Sequence, residues 1–96
     1  MLHAFVYINA ERHSINNVTQ KLLEIEGIKE VYSVTGDYDI IAILRVSSHE
    51  DISLIVTEKL LSIPEILSTK TIIAFRAHSK KDLEQMWSIG FDDEAV

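Results

Sequence analysis

Apolar and polar residues alternate with a period of two over residues 2–8. Leu2, Ala4, Val6 and Ile8 point one way, and His3, Phe5 and Tyr7 the other, which predicts a strand. Residues 9–13 are mostly polar and predict a loop. From Ile15 the period becomes helical, with Ile15, Val18, Leu22 and Ile25 on one stripe and Leu23 widening it. Ser14 is placed to cap this helix, and Gly27 falls where a left-handed C-terminal residue is wanted. Two β-rich runs, 28–34 and 38–46, flank Gly36 and predict a hairpin. Ser48-His49-Glu50-Asp51 resembles a capping box with aspartate in place of the usual glutamate. It opens a second helix with Ile52, Ile55, Val56, Leu60 and Ile63 along one face, which Pro64 stops. Residues 66–77 form a long strand-like run without Gly or Pro. Residues 80–87 then place Leu83, Met86 and Trp87 on one side of a short helix, and 91–96 form an acidic tail.

The order strand, helix, strand, strand, helix, strand predicts an α+β, ferredoxin-like βαββαβ fold. Right-handed crossovers put both helices on one face of a four-stranded antiparallel sheet. The helix-free face should then alternate toward polar residues if it meets water, and it does not. Strand three carries Ile40, Ala42, Leu44 and Val46 on one side and Ile41 and Ile43 on the other. Strand four carries Leu67, Ile73 and Phe75 on one side and Ile66, Ile72 and Ala74 on the other; strand one adds Phe5 and Tyr7 opposite its aliphatic set. Covering several hundred Å2 at ~25 cal/mol per Å2 gives a gross gain on the order of 10 kcal/mol, part of which association entropy consumes. The expected cover is a second copy, sheet to sheet around a twofold axis, in a dimeric α/β barrel-type pairing; the alternative is the C-terminal segment folded back, whose Leu83, Met86, Trp87 and Phe91 suffice for only part of the face.

Composition narrows the classes. The chain has 96 residues, suited to one domain, and a domain of that size is marginally stable alone. A net charge of −6 with scattered basic residues argues against a nucleic-acid surface. The absence of cysteine excludes disulfides, thiolate catalysis and Cys-based zinc sites. No apolar run approaches a membrane span and no basic-then-apolar leader opens the chain, so a cytoplasmic location is expected. The four histidines have no helical metal-ligand spacing, so no metal and no cofactor are expected.

Val34-Thr35-Gly36-Asp37-Tyr38-Asp39 resembles the V-T-G-x-Y-D signature of the effector-sensing (RAM) domain of Lrp/AsnC, or feast/famine, regulators. The stretch 63–71, Ile-Pro-Glu-Ile-Leu-Ser-Thr-Lys-Thr, resembles that family's second motif, and Gly27-Ile28-Lys29-Glu30-Val31 its helix-to-strand junction. The resemblance covers residues 2–75. It implies an effector-binding domain over 1–77, with 78–96 as a C-terminal extension outside it. Members of the family begin with a winged helix-turn-helix, so a stand-alone domain that does not itself bind DNA is expected. Dimers that join into octamers or similar rings, with free amino acids bound between dimers, are what the family implies as partners. A full-length Lrp/AsnC regulator is a further expected partner.

Effector-binding residues are expected at Thr35, Gly36, Asp37, Tyr38 and Asp39, and at Ser68, Thr69 and Thr71. Gly36 suits a positive φ and lets a ligand approach the backbone; taken alone it is a hairpin glycine. The N–H groups of 37–39 form a candidate nest for a carboxylate. Asp37 and Asp39 suit an α-ammonium group or turn stabilisation, and the motif favours the ammonium for Asp39. Tyr38 suits the apolar part of a ligand or packing across the dimer contact, and packing is favoured. Ser68, Thr69 and Thr71 offer hydroxyls to a ligand held by a neighbouring subunit, or are simply good strand residues. The expected function is amino-acid sensing that modulates regulators or enzymes through assembly, with no catalytic residue. The alternatives are a ligand-free assembly partner of a full-length regulator and a small dimeric ferredoxin-like enzyme. The enzyme needs a polar group in a pocket between helices and sheet, which the helix-facing apolar sets do not offer. An ACT-type domain shares the element order but commonly pairs edge to edge.

Overall fold

A computed structural model describes residues 1–80 of the chain. The expected helix at 80–87 and the tail at 91–96 therefore lie outside the described residues, Lys80 apart. The strands are β1 (Leu2–Ala10), β2 (Ile28–Ser33), β3 (Ile40–Val46) and β4 (Ile66–Ile73); the helices are α1 (Ile15–Leu23) and α2 (His49–Leu54). The strands form one antiparallel sheet in the order β2-β3-β1-β4, the ferredoxin-like arrangement that the element order predicts.

One face of the sheet makes the core. Ala4, Val6 and Ile8 of β1 and Ile40, Ala42 and Leu44 of β3 have no exposed surface, and Val18 and Leu22 of α1 join them. Ile52, Ile55, Leu60 and Ile63 close the layer from the second helical segment, with Val56 packed at its margin. Leu23 does not widen the α1 stripe; it is 55% exposed. Gly27 turns the chain from α1 into β2 with φ 101°. Its backbone lies so close to Ile55 and Val46 that a Cβ would sit 2.8 and 2.9 Å from their methyl groups.

Local structure departs from the sequence pattern in several places. β1 continues through Asn9 and Ala10, because both pair with β4 and leave no loop there. A 3-10 turn, Arg12–Ser14, precedes α1, and Ser14 makes no side-chain cap. Its backbone is already held in that turn by Ser14 N–H donating to Glu11 O. The second helix is not uniform. α2 passes into a π-helical turn at Ile55–Lys59 and a 3-10 turn at Leu60–Ser62. Ser48 does cap α2, its hydroxyl accepting from Asp51 N at 3.2 Å.

The pairing register fixes the faces. Directly opposed residues share a face, so Phe5, Ile43, Ile72 and Glu30 line one row of the helix-free face, and Tyr7, Ile41, Tyr32 and Lys70 the next. The register shifts at β1 Asn9/Ala10, where Asn9 opposes Ser68 and Ala10 opposes Ile66. That bulge at Leu67 reverses the alternation. Ile66 and Ile72 therefore lie on opposite faces, not the same one, and Ile66 packs on the core. The helices stop short of β4, where Ile73 on the helix side remains 45% exposed.

Candidate effector site

The turn between β2 and β3 is held by its second half. Val34 N donates to Asp39 O at 2.9 Å, closing the hairpin. Asp39 N donates to Ile8 O at 3.0 Å, and Asp39 Oδ2 accepts from Ala10 N, also at 3.0 Å. The Asp39 carboxylate thus serves the turn's own architecture with one oxygen. Its N–H is spent on β1, so a nest of free N–H groups cannot include residue 39. The Tyr38 ring packs within its own chain, meeting Tyr7 edge on with 5.2 Å between centroids at 88°.

The first half of the turn is open. Thr35, Gly36 and Asp37 are exposed. Gly36 takes φ 115°, and nothing lies within 4 Å of where its Cβ would be. A ligand can therefore reach the backbone at this point.

β1 carries the turn toward β4. Asn9 Nδ2 donates to Ser68 Oγ at 3.4 Å on the helix-free face. Glu11 N donates to Glu65 O at 3.0 Å and ties the ends of the two strands. The turn and Ser68 therefore share one end of the sheet, with Asn9 between them. Thr69 and Thr71 do not join this group. They oppose Ile8 and Val6, which point toward the helices, so they stand on the other face of the edge strand. Plain alternation past the bulge puts Ser68 on the helix-free face and its neighbour Thr69 on the other. Asn9 and Tyr7, which touch Ser68 and Tyr38, lie outside the expected set of site residues. The alternation of His3, Phe5 and Tyr7 continues into Asn9 and is the signal that places it.

A groove of about 960 Å3 lies elsewhere, between the two helical segments, and reaches Gly27, Arg45 and Lys59. No group of three His, Asp or Glu side chains suited to a metal ion occurs among the described residues. Among them no helix is long and apolar enough to cross a membrane.

The pattern of the Lrp/AsnC ligand binding domain matches residues 3–83. The chain belongs to the Lrp/AsnC family. The HTH-type transcriptional regulator FL11 of Pyrococcus abyssi (strain GE5 / Orsay) is 31% identical over 77 residues, which cover 80% of this chain and 50% of FL11. The chain thus spans about half the length of that Lrp/AsnC relative. The crystal structure of TTHA0845 from Thermus thermophilus is similar at 35% identity and a TM-score of 0.79, over 83% of this chain and all of that one. A transcriptional regulator of Neisseria meningitidis, NMB0573, in complex with L-Met, shares the fold at 14% identity and a TM-score of 0.72, over 82% of this chain and 54% of that one. The Lrp/AsnC relatives are transcriptional regulators and the matched unit is a ligand-binding domain, which sets this chain apart from enzymes. Effector sensing in regulation is the role consistent with that unit.

Proposed function

We propose that the domain binds a free amino acid at the 34–39 turn and converts that binding into a change of assembly. One arrangement carries the reading. Asp39 is fixed by the Ala10 N–H through Oδ2, beside an open glycine corner. Its Oδ1 is then an aimed acceptor for an α-ammonium group, with charge-assisted strength. The L-Met complex of a relative of the same fold supports this ligand class.

With the N–H of residue 39 taken by Ile8 O, the carboxylate end of the ligand draws further donors from β4. Thr69 and Thr71 stand on the opposite face of the edge strand, two strands from the turn. They take part only as the contribution of a neighbouring copy, which puts the complete site between dimers.

The helix-free sheet face is the proposed contact within a dimer. Phe5, Ile41, Ile43 and Tyr7 lie half-buried there, and Ile72 and Tyr32 are exposed. Its rim is self-complementary, with Glu30 on the β2 edge and Lys70 on the β4 edge. A twofold axis parallel to the strands brings the acid of one copy toward the amine of the other. Output runs through mixed assembly with a larger member of the family.

Isothermal titration against a panel of amino acids tests the reading. Binding of at least one at sub-millimolar to millimolar concentration is expected, and no heat from any of them overturns it. Asp39→Asn keeps an acceptor for Ala10 but loses the charge, so it is expected to weaken binding about tenfold or more with oligomer size unchanged. A second reading, assembly without a ligand, draws support from the occupied Asp39 Oδ2 and N–H. No heat from any amino acid, with the oligomer intact, favours it; unchanged affinity in Asp39→Asn would instead move the ligand away from Asp39.

A further inference from the structure

We infer that the helix-free sheet face and the 34–39 turn are one coupled surface, joined through the Tyr7–Tyr38 ring pair. Covering the face with a second copy then orders the turn. This rests on the proposed dimer contact, and it adds a route between that contact and the effector site.

Tyr7 stands in the middle of the helix-free face, flanked by Ile41 of β3 and Lys70 of β4. The Tyr38 ring lies edge on against it at 5.2 Å, so the turn extends its own side chain onto that face. Tyr38 is only half-buried. It is not part of the core cluster, and its ring contact is with Tyr7. The next residue is Asp39, whose N–H and Oδ2 grip Ile8 and Ala10. Three attachments therefore follow one another along residues 7–10 of β1: a ring contact, then two hydrogen bonds. The other half of the turn, 35–37, has no such grip and is where a ligand would approach.

A copy packed on the face buries Tyr7 and removes rotamer freedom from Tyr38, a cost that need not be met again when the turn is ordered by a ligand. Linkage makes this reciprocal. A ligand that orders the turn strengthens the face contact by the same factor as the contact strengthens its binding.

Amide hydrogen exchange on the full chain tests this without any ligand. Exchange at Asp39 and Ala10 is followed over a protein concentration series that spans dimer dissociation, which sedimentation defines in parallel. In the wild type these amides are expected to slow by about fivefold or more on dimerisation, the lower range of such couplings. Tyr38→Leu keeps an apolar group on the face, so the dimer is expected to persist while exchange at Asp39 becomes independent of concentration. Tyr7→Leu gives the same loss from the other side of the contact and serves if the first variant fails to fold. The inference is overturned by wild-type turn amides that ignore dimerisation, by full slowing in Tyr38→Leu, or by a chain that stays monomeric throughout. A chain that dimerises and protects its turn but shows no heat with any amino acid keeps the coupling and sinks only the sensing role.

Discussion

Gly27 and Gly36 both hold positive φ, at 101° and 115°, yet a methyl group would meet different surroundings at each. At Gly36 it would enter open space, leaving only backbone strain, so Gly36→Ala should cost about 1–2 kcal/mol. At Gly27 it would press on Ile55 and Val46 below 3 Å, both buried in the core. Overpacking adds to the strain there, and Gly27→Ala should cost about 3 kcal/mol or more. Urea unfolding of both variants decides the order; equal losses would mean the Ile55 contact yields freely. Tyr32 offers a separate test at high pH. Its hydroxyl donates to Glu30 Oε2 at 2.7 Å, and that hydrogen bond, then the Glu30 charge, raises its pKa above the ordinary phenol value. The protonated phenol is the form that the fold favours. Its contribution is present below the unfolded pKa and is lost as pH rises through the folded one. An ultraviolet titration should show Tyr32 ionising at lower pH in Glu30→Gln, and an unchanged midpoint would remove Glu30 as the cause.

The two helices begin differently, and that difference is measurable. Ser48 caps α2 through Asp51 N, so Ser48→Ala should cost about 1 kcal/mol. Ser14 makes no side-chain cap for α1, so Ser14→Ala should stay within about 0.5 kcal/mol of wild type, as a surface change does. Thermal melts of the pair check both values. Much of the fold was legible because each element announces its own period. The aliphatic sets of β1 and β3 and the glycine at 27 read directly from the chain, and so did the hairpin around Gly36. What was not legible is where a period breaks. The bulge at Leu67 consumes one residue of β4 with no Gly or Pro in Ile66-Leu67-Ser68 to mark it. Alternation carried through it puts Ile66 on the wrong face. Past the break plain alternation holds, and it alone puts Ser68 on one face and Thr69 and Thr71 on the other. The π-helical turn at Ile55–Lys59 is equally silent, since Ile55, Leu60 and Ile63 stay buried through it. The role of Asp39 was half legible. Its motif marks it as functional, but its grip on Ala10 depends on β1 running two residues past the predicted end.

The sheet is the common frame for both proposed contacts, because every strand contributes to two faces at once. One face closes on the helices and makes a core in which no buried polar side chain occurs among the described residues. The other holds Phe5 between Ile43 and Ile72 and has no cover from its own described chain. Replacing Phe5 separates folding from assembly. Phe5 is only half-buried in one chain, so a carboxylate there can reach water and Phe5→Glu should still fold, with a loss of about 1–2 kcal/mol for the apolar contact. In a face-to-face dimer the same carboxylate would be buried against its twofold mate, where an unpaired charge costs several kcal/mol. Sedimentation velocity should therefore show Phe5→Glu as a folded monomer at concentrations where the wild type is dimeric. Leu61→Glu is the control, since Leu61 is 77% exposed on the helical side and lies away from the sheet face, so its dimer should persist. If Phe5→Glu stayed dimeric while Leu61→Glu dissociated, the helical side would be the contact, and the coupling of the sheet face to the 34–39 turn would lose its partner.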